Sequence, residues 1–118
     1  MSDELIGEPY FFHRSLTSAG AATEDIETKR VKPGHILLVL QAKAVNKSNN
    51  FTRIDIGTVN LTIYQLLYGS ASPSANVVYG LNNIFLVPEG EYIRFRFTGN
   101  TAADNYRVHV QGLLVELK

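Results

Sequence analysis

The chain has 118 residues, 11 basic and 11 acidic side chains, and no cysteine. Zero formal net charge argues against a protein that works mainly by binding nucleic acid or a membrane surface, since both draw on a basic excess. The missing cysteine excludes disulfides, thiolate nucleophiles and cysteine-based zinc sites, and the length suits one compact domain with its own core.

Residues 1–8 read as a polar N-terminal arm, and residues 9–118 as a single domain. Met1-Ser2-Asp3-Glu4-Leu5 lacks the basic and apolar regions of a signal peptide. No apolar stretch reaches the ~20 residues of a spanning helix. Residues 9–13 form a first strand, with Pro9 suited to its start or to an edge. Residues 15–24 are small and polar and read as a loop, and residues 26–31 as a short strand. Lys32-Pro33-Gly34-His35 is a turn: Pro33 presets its own φ and Gly34 supplies a positive one. From His35 to Val45 the residues alternate, with Ile36, Leu38, Leu40, Ala42 and Ala44 on one face. Apolar residues begin both faces, which predicts a central strand covered at one end.

Residues 46–50 are a loop. Residues 51–56 and 58–67 read as strands separated or kinked at Gly57, with Val59, Leu61 and Ile63 on one face. A short helix over residues 60–68 is the alternative, disfavoured by β-branched content. Residues 69–75 form the most exposed-looking loop. Residues 76–79 make a short strand, residues 80–83 a turn, and residues 84–87 a strand leading into Pro88-Glu89-Gly90. Residues 92–98 place Ile93, Phe95 and Phe97 inward and Arg94 and Arg96 outward. In the last strand Tyr106, Val108 and Val110 share a face. After Gly112 the apolar set shifts to Leu113, Val115 and Leu117, the mark of a β-bulge. About eight short strands at this spacing predict an all-β fold, an antiparallel β-sandwich of jelly-roll type, with a closed barrel as the alternative.

Chemistry is sparse. His13, His35 and His109 lie far apart in sequence, and a metal site needs converging ligands. His109 is expected beside Arg94 or Arg96. Glu89 and Glu91 flank Gly90 at a turn tip, where carboxylates are normally solvated. No Gly-x-Ser-x-Gly elbow is present. Arg94, Arg96 and Arg107 alternate with aromatics, a pattern shared by stacking surfaces for single-stranded nucleic acid. Zero net charge favours solubilising arginines, or arginines paired with acids across a subunit contact. Tyr64, Tyr68, Tyr79 and Tyr92 fit interfaces, or a carbohydrate site if they converge.

The block Phe85-Leu-Val-Pro-Glu-Gly-Glu-Tyr-Ile-Arg-Phe-Arg-Phe-Thr-Gly99, with Tyr106-Arg-Val-His-Val-Gln-Gly-Leu-Leu-Val-Glu-Leu117, resembles the C-terminal end of small virion proteins of tailed bacteriophages. Lys32-Pro33-Gly34-His35 resembles the matching turn in the first half. The resemblance implies a β-sandwich subunit of a virus particle: a head decoration protein, head spike or fibre base, or tail-associated component. Its matching positions are turns and core, so it carries over no binding residue.

The expectation is a non-catalytic structural component of a phage virion, assembled in the host cytoplasm. Its partners would be other virion proteins of capsid or tail and copies of itself, with no nucleic acid, membrane or cofactor. Contact candidates are Ser2, Asp3, Glu4, Leu5 and Ile6 of the arm, and Ser70, Ser72 and Pro73 of a loop, with residues 15–22 as a second contact loop. Tyr68, Tyr79, Arg94 and Arg96 complete the set. The alternative is a carbohydrate- or receptor-binding β-sandwich module, and a third class is a small jelly-roll enzyme, whose clustered histidines and glutamates would face inward.

Overall fold

The computed structural model describes residues 6–117, so Ser2, Asp3, Glu4 and Leu5 lie outside the described residues. Nine strands are described: β1 (Ile6–Thr17), β2 (Thr23–Glu27), β3 (His35–Asn46), β4 (Arg53–Asn60), β5 (Ile63–Ala71), β6 (Tyr79–Leu81), β7 (Phe85–Val87), β8 (Tyr92–Thr98) and β9 (Asn105–Glu116). They form two antiparallel sheets packed as a sandwich. The first has the order β1-β9-β3-β6, with β7 also on β3; the second has the order β2-β8-β4-β5. The chain is all-β, as the alternation of its residues predicts.

Period-two burial explains the layers. Ile93, Phe95 and Phe97 of β8 are fully buried, as are Ile54 and Ile56 of β4. They meet Leu37, Val39, Ala42, Ala44, Val108 and Val110 of the first sheet in one core. Phe97 stacks on Tyr106 at 4.1 Å between ring centroids, and Phe51 tilts against both rings. Such aromatic packing adds about 0.5–1.5 kcal/mol per pair beyond area burial.

Several boundaries move. β1 begins at Ile6 and ends at Thr17, so residues 6–8 are strand, not arm: Ile6 lies opposite Glu116 and Glu8 opposite Leu114. The predicted loop after β1 is correspondingly shorter, and Ser18 within it is buried. Gly80 sits in β6 opposite Lys43 rather than in a turn.

The predicted bulge exists, but on the neighbouring strand. β9 pairs with β1 without interruption, and the extra residue is Leu40 of β3, between Val39↔Gly112 and Gln41↔Gln111. The buried face of β3 therefore changes phase, from Leu37 and Val39 to Ala42 and Ala44. Leu40 is not an inward residue. A second shift, between Ile56↔Tyr68 and Gly57↔Leu66, leaves Leu67 as the extra residue of β5. Each bulge faces a glycine on the partner strand, which lets the bulged backbone approach closely.

A buried polar knot ties the sandwich at one end. The Asp104 carboxylate accepts from Asn49 Nδ2 at 2.5 Å, Asn46 Nδ2 at 3.1 Å and the Thr101 amide at 3.1 Å. Asn46 Oδ1 accepts from the amides of Ser48 and Asn49. Among the described residues no buried side-chain nitrogen or oxygen lacks a partner, as a stable interior requires.

Candidate protein contact surface

The β4–β5 hairpin combines exposure, backbone strain and an open edge. Asn60 lies opposite Ile63, so Leu61 and Thr62 are the whole loop. Leu61 has φ 54°. A two-residue hairpin loop needs a positive φ at its first central position, where glycine is at ease and a bulky side chain is strained. Yet Leu61 holds it, and is 79% exposed. Alternation in the sequence predicts Leu61 and Ile63 on a shared strand face; the chain instead reverses between them.

Ile63, at 68% exposure, and Leu66, at 50%, continue the apolar surface from the tip along β5, with Leu67 at the bulge. β5 is the edge of its sheet. None of its nine residues is charged. The other long edge strand, β1, carries Glu8, Pro9, His13 and Arg14, and β2 carries Glu24, Asp25 and Glu27. Charges and proline normally guard an edge against pairing with another chain. β5 has only its bulge.

Arg94 and Arg96 are engaged within the subunit. Register sets Glu27 opposite Arg94 and Asp25 opposite Arg96. Arg94 Nε donates to Glu27 at 2.6 Å, and Arg96 grips both Asp25 oxygens at 2.9 and 3.0 Å. Both guanidiniums stand 5.3 Å from the Tyr64 ring centroid. The Tyr64 hydroxyl donates to the Arg94 carbonyl at 3.3 Å. Burial, with Asp55 nearby, pushes the Tyr64 hydroxyl up to about 12. Arg107 belongs to the other sheet, so the three arginines do not share a surface.

The other predicted contact residues scatter. Tyr68 and Tyr79 pack against the core, and the Tyr79 hydroxyl also accepts from the Ser74 amide. Tyr64 and Tyr92 lie on the outer side, so the four tyrosines do not converge. Ser70 lies opposite Ile54 in β5. Ser72 is exposed with φ 53°, whereas Pro73 is buried and its carbonyl accepts from the Phe51 amide. Residues 69–71 belong to β5, and Pro73 is the buried member of the loop expected to be the most exposed. In the loop after β1, Ser18 donates to the Glu24 carboxylate and its amide bonds the Asp104 carbonyl. Of Ile6 only the backbone pairing is described.

His109 lies beside His13 and Lys43, because β9 is flanked by β1 and β3 rather than by β8. His35 Nδ1 lies 2.9 Å from the Pro33 carbonyl oxygen. Among the described residues no group of three or more His, Cys, Asp or Glu is placed to hold a metal ion. No helix there is long and apolar enough to cross a membrane.

The chain matches no protein-family model and no curated protein.

Proposed function

We propose that this chain is a non-catalytic structural subunit of a tailed-bacteriophage particle, as a head decoration protein, head spike or fibre base, or tail-associated component. It acts through protein–protein contacts, and its own copies are among its partners. The observation that carries the contact reading is the uncharged edge strand β5, continuous with the strained and exposed Leu61 tip. Backbone strain held at an exposed leucine points to a use for the side chain. A second copy fits this edge: antiparallel strand addition pairs identical edges around a two-fold axis, and zero net charge removes repulsion between copies.

Strand order supports the finer architecture. Counting β6 and β7 as one interrupted strand on β3, each position in one sheet has its chain neighbour at the same position in the other. We read this as a jelly roll, a fold used by viral capsid subunits but also by lectins and cupins. The particle assignment rests on the resemblance of residues 85–117 to phage virion proteins.

Native mass and sedimentation velocity over a wide concentration range test the contact reading. A symmetric oligomer is expected, and Leu66→Lys should shift it toward monomer with the fold retained. A monomer at the highest concentration would sink it. Peptides of the chain should also be recovered from purified phage particles. Their absence would remove the particle assignment alone.

A further inference from the structure

On the outer face of the first sheet, the one that does not contain β5, strand pairing gathers four basic side chains. His109 lies opposite His13 on one side and Lys43 on the other. Arg107, two residues before His109 in β9, shares its face. Arg107 lies opposite Ser15 and Val45. These groups surround a depression of about 150 Å³ floored by Ala44, Val45, Val78 and Val108. Among the described residues no carboxylate lines it.

We propose that this depression binds a small tetrahedral oxyanion, phosphate or sulfate in class, and that its affinity rises on acidification. The inference is independent of the contact reading above. Three observations carry it. The first is composition: four groups able to be cationic line one apolar-floored hollow in a chain whose overall charge is zero. That asymmetry is local, and an arginine and a lysine at one hollow supply forked and point donors together. The second is the contrast with the opposite sheet, where Arg94 and Arg96 are matched by Asp25 and Glu27. The register opposite Arg107 provides only Ser15 and Val45, and that beside His109 only His13 and Lys43.

The third is the histidine pair. His109 Nδ1 lies 3.1 Å from His13 Nε2, with ring centroids 4.3 Å apart. At that distance one imidazole donates to the other, and a second proton brings two cations together. Burial lowers the His109 pKa, repulsion from His13 lowers it further, and Gln111 partly opposes both. The groups facing His109 are His13 from β1, Lys43 from β3, and Arg107 and Gln111 from β9; Gln111 is held by Gln41 at 2.6 Å. The charged ones all raise the free energy of a protonated pair. A bound dianion reverses that sign. Anion and proton therefore bind with positive linkage: the anion raises the His109 pKa, and lower pH tightens the anion. A pKa rise of about one unit on binding corresponds to about tenfold in affinity.

Sulfate is the decisive probe, because it stays a dianion across the histidine range and any pH dependence belongs to the protein. Histidine Cε1–H resonances of the full chain would be followed against sulfate, at constant ionic strength set with chloride, between about pH 5.5 and 8. Saturable binding, an upward-shifted titration of His109, and roughly tenfold tighter binding at the acid end are expected. His109→Gln should bind with a flattened pH profile. Lys43→Met with Arg107→Met should not bind. Lys43→Met alone, at a site outside the core, should weaken binding and keeps the test open if the double variant misfolds. Titrations unmoved by sulfate, or variants that bind as well as the parent, would overturn the site. Inorganic phosphate and a monosaccharide sulfate ester, run in parallel, distinguish the source. Preference for the ester assigns a substituted group, equal binding assigns the free anion, and either supports the site.

Discussion

A Cβ at position 112 would lie 2.1 Å from the Leu38 carbonyl oxygen, and one at position 57 would lie 2.2 Å from that of Gln65. Both obstacles are backbone, so no side-chain rotation relieves them. Gly112→Ala and Gly57→Ala should each destabilise the fold by about 1–3 kcal/mol, the range for overpacking a tight interior. Urea titration checks this, and a stability equal to the parent would show that the bulges relax. Asp104 is the second residue whose surroundings leave little choice. Burial alone would push its carboxyl up, but hydrogen bonds from Asn49, the Thr101 amide, Asn46 and Tyr106 outweigh it and hold the pKa below the ordinary value. Ionised Asp104 thus stabilises the fold above the unfolded carboxylate range. That contribution is lost as pH falls below about 3.8, the ordinary value, through the lower folded one. Asp104→Asn sets amide against amide and should cost about 1–3 kcal/mol at neutral pH. The gap between variant and parent should close in acid. A gap constant with pH would mean that the carboxylate's charge adds nothing.

At the scale of the element, the β4–β5 hairpin gives a test with two opposite signs. Leu61→Gly removes a positive-φ penalty of about 1 kcal/mol and also removes the most exposed large apolar side chain among the described residues. Thermal stability should rise while self-association falls. If the variant associates as the parent does, the tip takes no part in the contact. The same loop shows why sequence reading succeeded in some places and failed here. Pro88-Glu89-Gly90 carries turn residues at turn positions, Gly34 has the positive φ expected of it, and Gly90 has one as well. Alternation across residues 92–98 is clean because its outer positions, Tyr92, Arg94, Arg96 and Thr98, are polar or charged. Leu61 carries no turn chemistry, so the reversal at residues 60–63 left no mark. The slip near Gly112 was visible, but Leu113 and Val115 are apolar and lie on the outer face. Polarity therefore did not reveal that the extra residue belonged to β3. Among the contact candidates, Arg94 and Arg96 were correctly placed outward, but their acidic partners lie some 70 positions upstream. Pairing between distant strands has no periodic signature.

For the molecule as a whole, that distance sets the order of folding. The β4–β5 hairpin closes a two-residue loop, whereas β1 and β9 pair across about 90 intervening residues, a difference of about 3 kcal/mol in closure entropy. Non-local sheet topologies of this kind refold in milliseconds to seconds. Contacts around β4, β5 and β8 should form in the transition state, and β1 should dock afterwards. Ile56 is fully buried in β4, and Phe12 packs against the core from β1. Ile56→Val should therefore slow folding, while Phe12→Leu should leave the folding rate nearly unchanged and speed unfolding, because its contacts are absent at the barrier. Stopped-flow chevrons of the two variants decide it. A slower folding arm for Phe12→Leu, with Ile56→Val acting on the unfolding arm, would reverse the order and place the joining of the chain's distant segments at the start of folding.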